Sequence, residues 1–141
     1  MRQIVMSTTI KAGGLLLITA LLLPPIASAQ QTYNGAKPMV CAMSHVMECD
    51  DMGQCERRTP EAKALPRFVR VDTEKRSLSA VGGPRTTEIK SVSRTEGRLL
   101  LQGGEMGRGW SAAIAEDTGL MAVAVVDHDV TFSVFGACMI P

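Results

Sequence analysis

The sequence predicts an all-β fold: a small antiparallel meander barrel or curled sheet of about eight short strands, with one short helical turn and disulfide staples. Three observations predict it. Apolar and β-branched residues recur in short runs, with turn residues about every 8–12 positions. The connections between runs are short, which favours antiparallel pairing of neighbours. The cysteines are split, with Cys41, Cys49 and Cys55 opening the domain and Cys138 near its end.

Residues 1–29 read as a cleaved secretory signal rather than as part of the fold. Arg2 and Lys11 give a positive start, Ala12 to Leu23 is apolar, Pro24-Pro25 breaks any helix, and Ala27-Ser28-Ala29 supplies small residues for cleavage near Ala29. The apolar run is shorter than the roughly 20 residues a spanning helix needs. The expected location is therefore the periplasm or the extracellular space, with no transmembrane span in the mature chain. Residues 30–38 read as a flexible leader with an Asn34-Gly35 turn, and residues 39–141 as a single β domain.

Of 15 basic residues, Arg2 and Lys11 fall in the signal, which leaves 13 against 14 acidic ones. A net charge of −1 offers no footprint for nucleic acid. With five aromatics (Tyr33, Phe68, Trp110, Phe132 and Phe135), the core must be thin. Disulfides compensate for that in small exported domains.

The strands follow in order. Met39 to Cys49 reads as extended, because Pro38 precedes it and no N-cap supports the alternative helix. Asp50 to Gln54 is a turn. Thr59 to Pro66 is the best helix, with Thr59 to cap it, Pro60 at the first position and Pro66 to end it. Arg67 to Asp72, Ser77 to Val81, Arg85 to Ser93 and Arg98 to Gln102 alternate as strands. Gly103 to Gly109 reads as a flexible loop. Trp110 to Glu116, Leu120 to Val126 and Val130 to Cys138 complete the set, with turns at Asp117-Thr118-Gly119 and Asp127-His128-Asp129.

Four cysteines allow three pairings. Eight residues apart on one strand, Cys41 and Cys49 would lie about 26 Å apart, and a disulfide needs Cα atoms within roughly 7 Å. Cys49 with Cys55 closes a loop over an evident turn. That leaves Cys41 with Cys138, which joins the first strand to the last and removes two sheet edges. A zinc site is disfavoured by the spacing, since no pair lies two to four residues apart as structural zinc requires.

Met43, His45 and Met47 are the candidate metal ligands. On a regular strand they share one inward face with Cys41, and thioether plus imidazole suits Cu(I). Otherwise the methionines are core filler, and no cofactor is expected. Arg108 and Trp110, beside the glycine-rich stretch, are candidates for partner binding. Gly109-Trp110-Ser111 lacks the second glycine and the fold of a hydrolase elbow. Asp127-His128-Asp129 and the acidic set Glu48, Asp50 and Asp51 lack the spacing of calcium loops. No catalytic set emerges, and short strands predict an interior just wide enough for side chains.

The Cys41/Cys49/Cys55 start, Phe68-Val69-Arg70-Val71-Asp72, Gly109-Trp110-Ser111, Asp117-Thr118-Gly119 and Phe135-Gly136-Ala137-Cys138 resemble small exported proteobacterial proteins of unassigned function. The resemblance implies an exported home and no activity. The fold resembles that of periplasmic lysozyme inhibitors, but their Ser-Gly-x-x-Tyr loop is absent. The expected function is non-enzymatic: binding an unknown protein or an envelope component. Periplasmic copper binding is the alternative.

Overall fold

A computed structural model describes residues 31–141. The expected signal segment and its cleavage point lie outside the described residues. Nine strands form one antiparallel sheet: β1 (Met39–Asp50), β2 (Cys55–Arg58), β3 (Phe68–Asp72), β4 (Ser77–Ala80), β5 (Thr86–Thr95), β6 (Arg98–Glu105), β7 (Arg108–Ala115), β8 (Leu120–Val126) and β9 (Val130–Met139). Eight of them follow the order β1-β3-β4-β5-β6-β7-β8-β9, and the pairing of β9 with β1 closes the barrel. The all-β meander barrel read from the sequence is therefore the observed fold.

β2 is the extra strand, and alternation could not reveal it. Cys-Glu-Arg-Arg has no apolar face, and all four residues are exposed. It is a strand because β1 is long. The first part of β1 pairs with β3 (Met39↔Val71 to Ala42↔Phe68), and its second part runs past β3 and pairs with β2 (Val46↔Arg58 to Cys49↔Cys55). The short helical turn expected within Thr59 to Pro66 is present as a 3-10 turn, Glu61–Lys63, which ends at Ala64 in the left-handed region (φ 53°). The expected loop at Gly103 to Gly109 is mostly strand. Met106 (φ 52°) and Gly107 (φ 82°) form a two-residue turn with the twist that hairpins favour. Glycine at 103 serves packing instead: a Cβ there would run into the Trp110 ring and lie 2.6 Å from the Glu88 carbonyl oxygen.

Both expected disulfides are present. Cys41 pairs with Cys138 across β1 and β9 (Cα–Cα 3.9 Å), and Cys49 pairs with Cys55 across β1 and β2 (Cα–Cα 4.1 Å). The leader, expected to be mobile, is tied across one end of the barrel. Tyr33 N–H donates to Glu116 O (2.9 Å), Thr73 Oγ1 donates to Gly35 O (2.5 Å), and Arg94 Nε donates to Asn34 O (2.6 Å). Backbone polar groups that find partners in this way hold a segment that composition alone would leave free.

One irregularity redirects β1. Its register against β9 shifts between Met43 and His45, so Ser44 is bulged. The Ser44 hydroxyl donates to Phe135 O at 2.8 Å. Opposite the bulge is Gly136, where a Cβ would meet the Ala42 carbonyl oxygen well inside van der Waals contact. From the bulge onward, β1 reverses which residues face inward.

Two stability predictions follow from these contacts. Gly136→Ala is expected to destabilise the oxidised protein by roughly 1–3 kcal/mol in denaturant unfolding, through forced overpacking at the bulge. Replacing both Cys41 and Cys138 by Ala is expected to cost about 4.7 kcal/mol, against about 2.4 kcal/mol for Cys49 and Cys55, by the loop each closes. Equal losses from the two pairs would contradict the role given to the longer staple.

Candidate functional site

The barrel interior has two different halves. Near the leader it is filled. Met39, Cys41, Ile89, Leu99 and Ile114 are fully buried, Cys138 is nearly so, and Tyr33 packs against the cluster. Toward the opposite end the inward positions mix large side chains, such as Leu101, Trp110 and Phe132, with small ones, among them Ala80, Thr87, Ala112, Val123 and Val125. Closure of eight strands fixes the diameter, so smaller side chains leave space there. The result is a cavity of about 400 Å³, bounded by inward residues of all eight barrel strands. This corrects the expectation of an interior just wide enough for side chains. A closed eight-stranded barrel either fills its interior or holds one small ligand, and 400 Å³ lies within the range of known ligand sites.

The segment Glu61 to Pro66 lies against the open end of the cavity. It follows from the sequence between β2 and β3, where Pro60 and Pro66 prevent both a longer helix and a strand. Its ends are held locally: Lys63 N–H and Leu65 N–H both donate to Pro60 O, at 3.1 and 2.9 Å.

Three cations border the cavity, and each is paired with a carboxylate; Glu48 also lies 3.7 Å from Arg58, and Asp127 also accepts from His128. Arg85 is bidentate to Glu105 (Nε–Oε1 2.9 Å, Nη2–Oε2 3.0 Å), and its Nη1 donates to Ala64 O at 3.1 Å. The Glu105 hydrogen bonds push the Arg85 guanidinium above its already high ordinary pKa. Lys63 Nζ donates to Glu48 Oε1 at 2.9 Å and sits 5.0 Å over the Phe132 ring. Arg108 Nε donates to Asp127 Oδ2 at 2.6 Å.

The residues singled out in the sequence are distributed differently from the expectation. Met43 lines the cavity. His45 is on the outer face of β1, stacked on Phe135 with ring centroids 5.0 Å apart, and Phe135 is 39% exposed. Met47 pairs with Ser133, in the same outward phase as His45. The Ser44 bulge is the physical reason: it places Val46, rather than His45, inward. The three-ligand set is therefore not assembled, and among the described residues no cluster of three His, Cys, Asp or Glu side chains could hold a metal. Ser44 Oγ lies 3.1 Å from His45 Nδ1, but the hydroxyl proton already goes to Phe135 O, so this pair is no activated nucleophile.

Trp110 is on a strand as expected, and Arg108, expected in the glycine-rich loop, begins the same strand, β7. Arg108 is at the cavity mouth and Trp110 lines the wall, over Gly103. The Trp110 indole N–H is buried without a hydrogen-bond partner. Asp50 is a turn residue, its Oδ1 accepting from Met52 N–H (3.0 Å) and Gln54 N–H (2.8 Å). Sequence reasoning missed Lys63, Arg85, Glu105 and the cavity itself. Grading inward residues by size along the barrel axis could have revealed the cavity. The ion pairs carry no spacing motif, since Arg85 and Glu105 are 20 positions apart.

Neither a family model, nor a curated protein, nor a solved structure matches the chain.

The Asp127–His128 turn at the open end gives a pH prediction. Asp127 accepts from the His128 ring, from the His128 backbone N–H and from Arg108, which hold its carboxyl well below the usual range. The Asp127 hydrogen bond and the Asp129 charge raise the His128 pKa. The His128 contribution to stability is complete below its unfolded value of about 6.5 and is lost as pH rises through the folded value. The Asp127 contribution is complete above about 3.9 and is lost as pH falls through its own folded value. Both are therefore fully present between about pH 4 and about pH 6.5. An NMR titration is expected to place the His128 midpoint above that of the same ring in Asp127→Asn. Identical midpoints would contradict the pairing.

Proposed function

We propose that the chain is an exported, non-enzymatic binding protein, delivered to the periplasm or beyond by its first 29 residues, and that its barrel holds one small molecule. The observation that carries this reading is the cavity of about 400 Å³ in an otherwise well-filled barrel. A domain of 111 described residues has a thin core, and inward apolar surface left uncovered forgoes burial that would stabilise it. A hollow half in so small a domain fits a function located there.

Other features support the same reading. Two disulfides and no free cysteine suit an oxidising compartment. Among the described residues, no helix is long and apolar enough to cross a membrane. Charged side chains at the mouth are tied to one another rather than poised for acid–base work. The wall is rigid on all sides because it is a closed sheet, which lowers the entropic cost of binding.

Trp110 is the only tryptophan in the chain and forms part of the wall, so its emission reports on occupancy. Oxidised protein incubated with a small-molecule extract of the envelope is expected to carry one drug-sized adduct in native mass spectrometry, with a shift in Trp110 emission. Val125→Phe, near the mouth, and Ala112→Phe, deeper in, are each expected to weaken retention by about tenfold or more, equivalent to about 1.4 kcal/mol. Far-UV circular dichroism checks that each variant is folded. Full retention by folded variants of both kinds would overturn the cavity as the binding site.

A further inference from the structure

The mouth of the cavity restricts what can enter it. Resting on the reading that the barrel binds a small molecule, we infer that its ligand is an uncharged, compact, largely apolar molecule, and that anions and cations of the same size are excluded.

The inference comes from the charge arrangement of the wall. The cationic side chains on the lining are Lys63, Arg85 and Arg108, and each is already paired, with Glu48, Glu105 and Asp127 respectively. Arg85 has the least left to offer. Two of its nitrogens hold Glu105 and the third holds the Ala64 carbonyl oxygen. A ligand carboxylate or sulfonate reaching Arg85 must displace Glu105, whose side chain is only 23% exposed. The displaced carboxylate would then be left unpaired in a poorly hydrated place. The same holds for a cation: the lining carboxylates are Glu105, held by Arg85, and Glu61, which faces solvent and pairs with Arg67 at 3.4 Å, so a ligand ammonium must displace Arg85 or remain outside with Glu61. Lys63 also sits over the Phe132 ring, a contact that favours the ammonium where it is.

Below the mouth the wall is largely hydrocarbon, and its unpartnered polar group is the Trp110 indole N–H, a single neutral donor that can orient a neutral acceptor but cannot replace the hydration of a charge. Val69, Leu101, Val123 and Val125 present hydrocarbon. Thr87 Oγ1 is directed to the Gly104 carbonyl oxygen at 3.4 Å. A charge placed there loses its hydration without compensation. Size is limited as well. On β7 the lining runs from Arg108 to Ile114, six residue steps, or roughly 20 Å along a tilted strand and less along the axis. Beyond Ile114 the interior is packed. A compact ring system fits that depth, whereas an extended long acyl chain does not.

Three dyes built on one naphthyl frame test this with the full oxidised protein. N-phenyl-1-naphthylamine is neutral, 8-anilino-1-naphthalenesulfonate adds one negative charge, and a naphthyl trimethylammonium adds one positive charge. The neutral dye is expected to bind one per barrel, quench Trp110, and lose binding in folded Val125→Phe. Each charged dye is expected to bind at least about tenfold more weakly. Glu105→Gln frees the Arg85 charge, and should raise the ratio of sulfonate to neutral-dye affinity. Sulfonate or ammonium binding as tight as the neutral dye in the wild type, or an unchanged ratio in Glu105→Gln, would overturn the charge rule while leaving the cavity reading intact. Failure of all three dyes to bind in a Val125→Phe-sensitive manner would overturn the cavity reading itself.

Discussion

The structure depends on the pairing of its first and last strands. β1 and β9 align from Val40↔Met139 to Asp50↔Val130, with Cys41 directly opposite Cys138 and bonded to it. This pairing turns a meander into a closed barrel and removes the two edges that an open sheet would expose. Once eight strands are closed, the diameter is set by strand number and stagger rather than by any local choice. Side-chain size then decides which part of the interior is filled. Large residues fill the end beside Cys41 and Cys138, while at the other end Ala80, Thr87 and Ala112 stand among larger neighbours and leave space between them. The staple and the cavity are thus two consequences of one closure.

The same pairing explains the irregularity of β1. That strand serves β9 along one edge, and β3 and then β2 along the other. Ser44 bulges out where Gly136 lets the Ala42 carbonyl approach, and its hydroxyl stabilises the kink through Phe135 O. The phase change brings Glu48 to Lys63 at the open end and turns His45 and Met47 outward. A sulfur-rich stretch that suggests a metal site is, in the folded protein, divided between two surfaces. Its lasting contributions are two covalent links, one wall residue in Met43, and the anchor for the segment over the mouth.

Much of the fold was legible in the sequence. Strand periodicity, short turns and cysteine spacing were enough for the meander and both disulfides, because each is a local signal or a distance limit. What was not legible depends on distant partners. β2 has no alternation of its own and exists because β1 overhangs β3. The bulge at Ser44 has its cause 92 positions away, at Gly136. Gly103 read as a loop residue because nothing local reveals that Trp110 packs over it. The cavity was the least legible feature, since it belongs to no segment: it is the volume left when Ala80, Thr87, Ala112 and their neighbours face one another across a fixed diameter.

A hollow, apolar half beneath a self-paired rim is the central claim. A crystal structure of the oxidised protein under xenon pressure tests it without knowledge of the ligand, because xenon occupies dry apolar cavities that exist in the folded state. The account predicts xenon among Val69, Leu101 and Val123, and none in the packed end around Met39, Ile89 and Leu99. Absence of xenon from the open half, with its side chains collapsed into that space, would contradict it.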